Sequence, residues 1–315
     1  MSSIPDCSFL ISGVNRVNQP AGSGHHITVS SVVVQVLSMI AVGMRFPWQA
    51  LLSFVVLWCP TARAQDASPW VDDTHSSLRL LAGSRTGNVL LAGIAIRLQP
   101  GWKTYWRYPG DSGVPPRFDF SKSDNVEAVT VLWPAPGVFD DGAGGQSIGY
   151  RGQVILPLRV VAKAPDKPVR LHAIVSYAVC EKICVPVDAE AELAITSIAS
   201  AQDAALFAAL DAVPKPASIG DPNPLTVRNV RRDGPSQVAV DVVAPDANAS
   251  RLFVEGPTPE WALPIPRPAR DNPAGVQRFV FDLDGIPQGV TISGVALRFT
   301  LIGGDKAYEF IANLD

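Results

Sequence analysis

The sequence has few charged residues and no long apolar segment, and both shortages exclude classes of protein. Charged residues make up 17% of the 315 residues, and the formal net charge is −3. Binding to a phosphate backbone depends on clustered lysine and arginine, and the sequence contains no run of these residues. Nucleic acid is therefore not an expected partner. The apolar runs near the amino terminus are shorter than the roughly 20 residues that span a bilayer.

Helical patterns are scarce as well. No helical repeat of useful length appears before residue 200, whereas short alternating or β-branched runs recur between turn signals. Hydrophobic residues make up 47% of the chain, with 28 prolines and 25 glycines. This composition excludes disorder across the whole chain and favours a loop-rich, all-β protein. The length is sufficient for about two domains.

The first 64 residues differ in composition from the rest, since they contain no lysine and almost no acidic residue. Arg45 is followed by an apolar run to Trp58 and by "ARA", which ends at Ala64 and has the pattern of a secretory cleavage site. We expect a signal peptide that ends there and directs the protein to the periplasm, with residues 1–43 as an upstream extension. An uncleaved amino-terminal membrane helix that tethers the protein is the alternative.

The remaining chain divides into two β-rich regions. Runs such as "NVLLAGIAIRLQPG" and "QVILPLRVVAK" predict an antiparallel, immunoglobulin-like β-sandwich over residues 65–199. The alanine-rich stretch "SAQDAALFAALDAVP" predicts a linking helix within residues 200–216, with Ser200 as its cap and a proline at its end. A second series of strands, separated by "DG", "GP" and "GG" turns, predicts a smaller β-sandwich over residues 217–315.

The stretch "SYAVCEKICVPV" places two of the four cysteines, Cys180 and Cys184, four positions apart between strand-like runs. On a straight strand they would lie about 13 Å apart, too far for a disulfide. If they bond, the chain has to turn at "EKI", and the two cysteines are then the facing residues at the tip of a hairpin. The tip lacks the glycine that three-residue loops prefer, which predicts strain. A short disulfide ring stabilises the fold little, so a reducible, redox-active pair is favoured over a structural one.

Metal binding is the competing chemistry for this pair. Two thiolates form a soft site of the kind that copper(I) prefers, so a copper-binding or copper-tolerance module that uses Cys180 and Cys184 is the alternative function. His172 lies about 26 Å away along the same strand, so it is not expected to share a metal with Cys180. Disulfide exchange itself requires no cofactor.

Four stretches together resemble one known family. They are "GWKTYWRYPGDSGVPP", "VLWPAP", "GYRGQVILPL" and "YAVCEKICVPV", and they span most of residues 70–198. The resemblance is to the amino-terminal periplasmic domain of the DsbD/ScsB thiol:disulfide interchange proteins, and the tight cysteine spacing is closer to ScsB. It implies an immunoglobulin-like sandwich whose cysteine pair takes electrons from a membrane transducer and passes them to thioredoxin-like periplasmic proteins.

The resemblance also implies further site residues. The family covers its cysteines with a cap loop, which corresponds here to "FDDGAGGQS" and offers Phe139, Asp140 and Asp141. Tyr105 and Tyr150 are the aromatic residues expected beside the site, although both could equally belong to the sandwich core. The chain ends after the second β region, so the transducer is expected to be a separate protein. In the family the second cysteine joins the partner in the mixed disulfide.

Overall fold

The computed structural model describes residues 65–315 except for 142–143, 197 and 247–248. The expected signal peptide and upstream extension lie outside the described residues. The described part of the chain belongs to one compact unit, and its regular secondary structure is almost entirely strand. Within it, no helix is both long enough and apolar enough to cross a membrane.

The first sandwich is built from two facing sheets. One sheet has the strand order β1-β2-β3-β9-β6, and the other has the order β11-β10-β4-β8-β7, with β5 paired to β10. The strands are β1 (Val71–Asp72), β2 (Ser76–Thr86), β3 (Val89–Leu98), β4 (Lys103–Gly110), β5 (Arg117–Asp119), β6 (Val126–Val131), β7 (Gly137–Asp140), β8 (Gln146–Arg151), β9 (Gln153–Ala162), β10 (Val169–Cys180) and β11 (Cys184–Ile195).

Alternation of small apolar and polar residues builds the sheet that carries the cysteines. Along β11 every second residue from Val187 to Ile195 is buried, and the residues between them are exposed. On β10 the residues of one face, including Tyr177 and Val179, belong to the main core between the sheets. Side chains of successive strand residues point to opposite faces, so Cys180 lies on the face away from that core.

Helix α1 (Asp203–Asp211) follows the first sandwich. It packs on the first sheet through Leu206, which is fully buried against Leu81 and Ala95. Gln202, not Ser200, occupies the cap position and makes no side-chain capping bond, so the predicted cap is two residues too early. The Ser200 hydroxyl nevertheless accepts a hydrogen bond from the N–H of Gln202 at 3.0 Å, and the Asp203 carboxylate accepts one from the N–H of Ser200. The same hydroxyl donates to the carbonyl of Ala82, so Ser200 both supports the start of the helix and contacts the sandwich.

The second sandwich is smaller and consists of two four-stranded sheets. Their orders are β12-β19-β18-β15 and β13-β14-β17-β16. The strands are β12 (Lys215–Pro216), β13 (Thr226–Arg232), β14 (Gln237–Val243), β15 (Arg251–Glu255), β16 (Arg267–Pro268), β17 (Gln277–Asp282), β18 (Val295–Gly303) and β19 (Lys306–Leu314). Its core has its own cluster of buried residues. The predicted fold class, two β-sandwiches with a helix after the first, is confirmed.

Strand β4 joins the two sandwiches. Its Arg107 guanidinium lies 2.7 Å from a carboxylate oxygen of Glu255 and 2.6 Å from one of Glu309, both in the second sandwich. The neighbouring Trp106 is fully buried and packs against Phe253, with 5.7 Å between the ring centroids. The strand that contributes to the cysteine site is therefore also the strand that anchors the second sandwich.

Candidate redox site

The two cysteines face each other at the tip of the β10–β11 hairpin. The strands pair in register from Val169 opposite Ile195 to Cys180 opposite Cys184, and the two cysteines form a disulfide. The predicted hairpin is thus confirmed. The three loop residues all avoid the left-handed backbone region, since Asn125 is the one non-glycine residue with positive φ in the described part of the chain. The missing glycine therefore causes no left-handed strain at the tip.

The two sulfur-bearing residues differ sharply in exposure. Cys180 is 2% exposed, whereas Cys184 is exposed to solvent. Strand β11 is at the edge of its sheet, so within the described part of the chain no further strand pairs beside Cys184. Pro186 also lies on this edge strand, where a residue without an N–H group is tolerated. A reagent or a partner protein can reach Cys184 directly, while Cys180 is shielded.

Tyr105 of β4 covers the buried sulfur. Its hydroxyl donates a hydrogen bond to Sγ of Cys180 at 2.8 Å and lies 3.2 Å from Sγ of Cys184. Tyr105 forms a small buried cluster with Ala178 and Cys180 on the face away from the main core. Burial raises the pKa of the tyrosine, and the charge of Asp141 adds to this effect. The hydroxyl therefore keeps its proton at neutral pH and remains a hydrogen-bond donor to the sulfur atoms.

The glycine at position 113 leaves space for the Tyr105 ring. Gly113 has φ of +134°, and a Cβ atom at that position would overlap the Tyr105 ring. A residue other than glycine would have to adopt an unfavourable backbone conformation and push the ring away from the sulfurs. The "GDSGVPP" stretch, which carried part of the family resemblance, thus has a physical role at the site.

Replacing Tyr105 with phenylalanine should slow the reaction of the reduced pair. Hydrogen bonds to charged groups contribute about 1.5–3 kcal/mol, so loss of the hydroxyl should destabilise a thiolate and reduce the alkylation rate by about tenfold at pH 7. The rates of the two proteins should converge at alkaline pH, where the thiols are ionised in both. Stopped-flow alkylation across a pH series measures this. A constant rate ratio at every pH would contradict the explanation by thiolate stabilisation.

The predicted cap residues lie on and just after β7, at the other edge of the same sheet. Phe139 packs against Arg151, whose guanidinium carbon is 4.4 Å from the ring centroid, and lines a small cleft with Tyr150. Asp140 ends β7, and the Asp141 carboxylate accepts a hydrogen bond from the N–H of Gly145. Burial raises the pKa of Tyr105, and the negative charge of Asp141 raises it further.

The two predicted tyrosines have different positions. Tyr105 contacts both sulfur atoms, whereas Tyr150 belongs to the main core and donates a hydrogen bond to the carbonyl of Pro134 at 2.8 Å. Burial raises the pKa of Tyr150 well above its ordinary value. The structure therefore assigns Tyr150 a packing position, which corrects its placement beside the cysteines. Successive strand residues face opposite ways, and the sequence does not tell which face of β8 is inward.

Sequence reasoning missed Lys103. This lysine is 6% exposed and lies on β4, in register opposite Cys180 and two residues before Tyr105. The sequence "GWKTYWRY" could have indicated it, because Lys103 and Tyr105 are two residues apart and therefore project from the same face of a strand. Buried lysines are rare unless they are paired with other polar groups, so the hydrogen-bond partners of Lys103 are part of the description of the site.

Metal ligands are sparse around this pair. Among the residues that the structure describes, no group of three or more His, Cys, Asp or Glu residues is placed to hold a metal ion. His172 contacts Glu190 and Glu192 on the neighbouring strand, with 2.7 Å between its Nε2 and an oxygen of Glu190. Copper(I) binding by the reduced cysteines remains a prediction that no feature of the fold tests.

Comparison with known proteins identifies the first sandwich. Residues 80–195 match the model of the family described as "Thiol:disulfide interchange protein DsbD, N-terminal". These residues form a DsbD N-terminal domain. The matched segment includes both strands of the cysteine hairpin and the whole of β4. A search of curated proteins finds no match to the chain.

Solved structures extend the likeness beyond the DsbD N-terminal domain. The crystal structure of the N-terminal periplasmic domain of ScsB from Proteus mirabilis is similar at 21% identity and a TM-score of 0.64, over 80% of this chain and 99% of that chain. Residues 80–195 are far fewer than 80% of this chain, so the fold that the two proteins share includes the second sandwich. The GAE domain of yeast GGA1 matches 40% of this chain and 97% of that chain at 10% identity, with a TM-score of 0.22 that is too low to indicate a shared fold.

Proposed function

We propose that the protein is a periplasmic thiol-disulfide exchange protein that uses Cys180 and Cys184. It receives reducing equivalents from a membrane transducer and passes them to thioredoxin-like or disulfide-isomerase partners. The observation that carries the proposal is the asymmetry of the disulfide. One cysteine is an exposed residue at the edge of a sheet, and the other is buried under a protonated tyrosine hydroxyl. Membership of residues 80–195 in the DsbD N-terminal family supports it.

The asymmetry suits the two steps of exchange. In the reduced protein, the thiolate of Cys184 attacks a disulfide of the partner and forms a mixed disulfide, and the partner's other sulfur leaves as a thiolate. The thiolate of Cys180 then attacks Sγ of Cys184 and releases the second partner sulfur. Two electrons pass to the partner, which becomes a dithiol, and the protein returns to the disulfide form. The transducer reduces this disulfide again by supplying two electrons, with protons from solvent.

Apolar surface at the tip suits contact with a partner. Ile183 is 70% exposed and immediately precedes Cys184 in the loop. An exposed large aliphatic side chain beside a reactive sulfur can be buried when a partner docks. Glu181 and Lys182 in the same loop are exposed charges of opposite sign, so the tip has no strong charge preference.

Equilibration with glutathione tests the proposal. The protein is incubated in buffers of graded glutathione potential, and the fraction of the Cys180–Cys184 disulfide is measured after alkylation. We expect a midpoint above about −300 mV, in the range of exchanging disulfides. A midpoint well below that value would mark an inert structural bond and would refute the proposal. A Cys180→Ser/Cys184→Ser variant provides the baseline for alkylation elsewhere in the chain.

A further inference from the structure

Strand β4 is held by different partners along its length. At its start, Lys103 lies in register opposite Cys180 of the cysteine hairpin. Its pairing with β8 is regular as far as Tyr105 and is then interrupted by a shift in register before Gly110. The part of β4 that follows Tyr105 therefore depends for its position on contacts other than the strand ladder.

Three consecutive residues in this interrupted part contact the second sandwich, and we call them the anchor segment. The contacting pairs are Trp106 with Phe253, Arg107 with Glu255 and Glu309, and Tyr108 with the carbonyl of Leu263. Burial raises the pKa of Tyr108 to about 12, so its hydroxyl keeps the proton that it donates to this carbonyl. Ring packing, an ion pair and a hydrogen bond thus hold one short segment against the second sandwich.

The anchor segment leads to Tyr105 in one direction and to Gly113 in the other. Tyr105 immediately precedes Trp106, so the backbone of the tyrosine is tied to the anchor segment. After β4 ends, the chain places Gly113 so close to the Tyr105 ring that a Cβ atom would overlap it. The Tyr105 hydroxyl lies 2.8 and 3.2 Å from the two sulfur atoms. Hydrogen bonds weaken steeply when their geometry is distorted, so a small displacement of β4 would weaken this contact.

We propose that the second sandwich is a positioning element of the redox site, which acts through Arg107 and Tyr108 to hold the Tyr105 hydroxyl against the two sulfurs. The inference rests on the proposed function only in treating Cys180 and Cys184 as the reacting pair. In the reduced protein, a correctly placed hydroxyl donates a hydrogen bond to a thiolate and stabilises that form. Arg107 and Tyr108 thus influence the sulfurs indirectly, through the backbone of β4.

Alkylation of the reduced full chain across a pH series tests this role. Rates with iodoacetamide are measured by quenching, with the hairpin cysteines quantified by peptide mass spectrometry. Arg107→Met and Tyr108→Phe should each lower the rate at pH 7 about threefold, less than Tyr105→Phe, because the hydroxyl is displaced but still present. All rates should converge at alkaline pH, where the thiols are ionised in every protein. Tyr108→Phe removes a single oxygen atom, so it decides the matter if Arg107→Met does not fold.

A double-mutant cycle with Tyr105→Phe separates positioning from a general loosening of the site. Without the Tyr105 hydroxyl, Arg107→Met and Tyr108→Phe should change the rate by less than about 1.5-fold, since the group through which they act is gone. Undiminished effects in the Tyr105→Phe background would overturn the proposal. So would an unchanged rate in both single variants. A higher rate at every pH would also overturn it, because easier access to the sulfurs would then explain the change.

Arg298→Met is the matched control for this assay. It removes another cation near Glu309, at 3.7 Å, but Arg298 belongs to β18 of the second sandwich and not to β4. Its rate and pH dependence should equal those of the unchanged protein, and a loss as large as that of Arg107→Met would contradict an action through β4. These rates require no partner protein, so they remain informative if the glutathione titration refutes the exchange function. Failure of the cycle in a protein that does exchange with glutathione would refute the positioning role alone.

Discussion

A Cys180→Ser variant is expected to accumulate mixed disulfides with thioredoxin-like periplasmic proteins, whereas Cys184→Ser should accumulate far fewer. Cys184 is the exposed cysteine, so we expect it to form the bond to the partner. Without the Cys180 thiol, nothing in the hairpin can attack that bond and release the partner. Incubation of the reduced variants with periplasmic extract, followed by non-reducing gels and mass spectrometry of the shifted bands, measures the complexes.

Three controls define this experiment. Adding reductant to the samples should remove every shifted band, and the double Cys→Ser variant should give the background from the rest of the chain. A Cys184→Asp variant keeps the buried Cys180 and tests whether that sulfur traps partners by itself. Equal trapping by Cys180→Ser and Cys184→Ser would overturn the assignment of roles. Trapping by neither, with partners confirmed in the extract, would count against the exchange function.

Replacing Arg107 with methionine is expected to destabilise the described unit by about 2–4 kcal/mol, because two carboxylates at the junction of the sandwiches lose their shared cation. The guanidinium bonds to Glu255 through two nitrogens and to Glu309 through one, and these side chains are 15–25% exposed. It also stacks over Trp106, 4.4 Å from the ring centroid. Denaturant unfolding of the variant and the unchanged protein measures the loss.

Arg298 offers a matched control for Arg107. It also approaches Glu309, at 3.7 Å, but its side chain is 45% exposed. Exposed ion pairs contribute little, so Arg298→Met should cost no more than about 1 kcal/mol. A second variant, Arg107→Met/Glu255→Gln, should recover part of the loss because only one carboxylate remains charged. Equal losses for Arg107→Met and Arg298→Met would show that the junction is not stabilised by the buried cation.

The cysteine hairpin could be predicted because its determinants are local. The distance between residues four apart on a strand is incompatible with a disulfide, so a bonded pair required a turn at "EKI". The strict alternation of β11 then determined which residues face the core and placed Cys184 on the opposite face.

Predictions were less accurate where they depended on which face of a strand a side chain occupies. Tyr105 and Tyr150 both lie in family-like stretches, yet one hydroxyl contacts the sulfurs and the other a core carbonyl. Ser200 lies two residues before the cap position; its hydroxyl accepts a hydrogen bond from the N–H of Gln202 and also donates one to Ala82, which is 118 positions earlier in the chain. For the two tyrosines, contacts with residues outside their own stretches separated the two positions, while the local pattern allowed both.

The sequence by itself determined the all-β class, the cysteine hairpin and the likeness to the DsbD/ScsB family, because strand periodicity, turn residues and motif spacing act over a few neighbouring positions. Only the tertiary structure decided that Tyr105 covers Cys180, that Lys103 bonds to strands β7 and β8, and that Arg107 joins the two sandwiches. These contacts join residues 37 to 202 positions apart. Their burial depends on how the sheets pack, which no single stretch of sequence specifies.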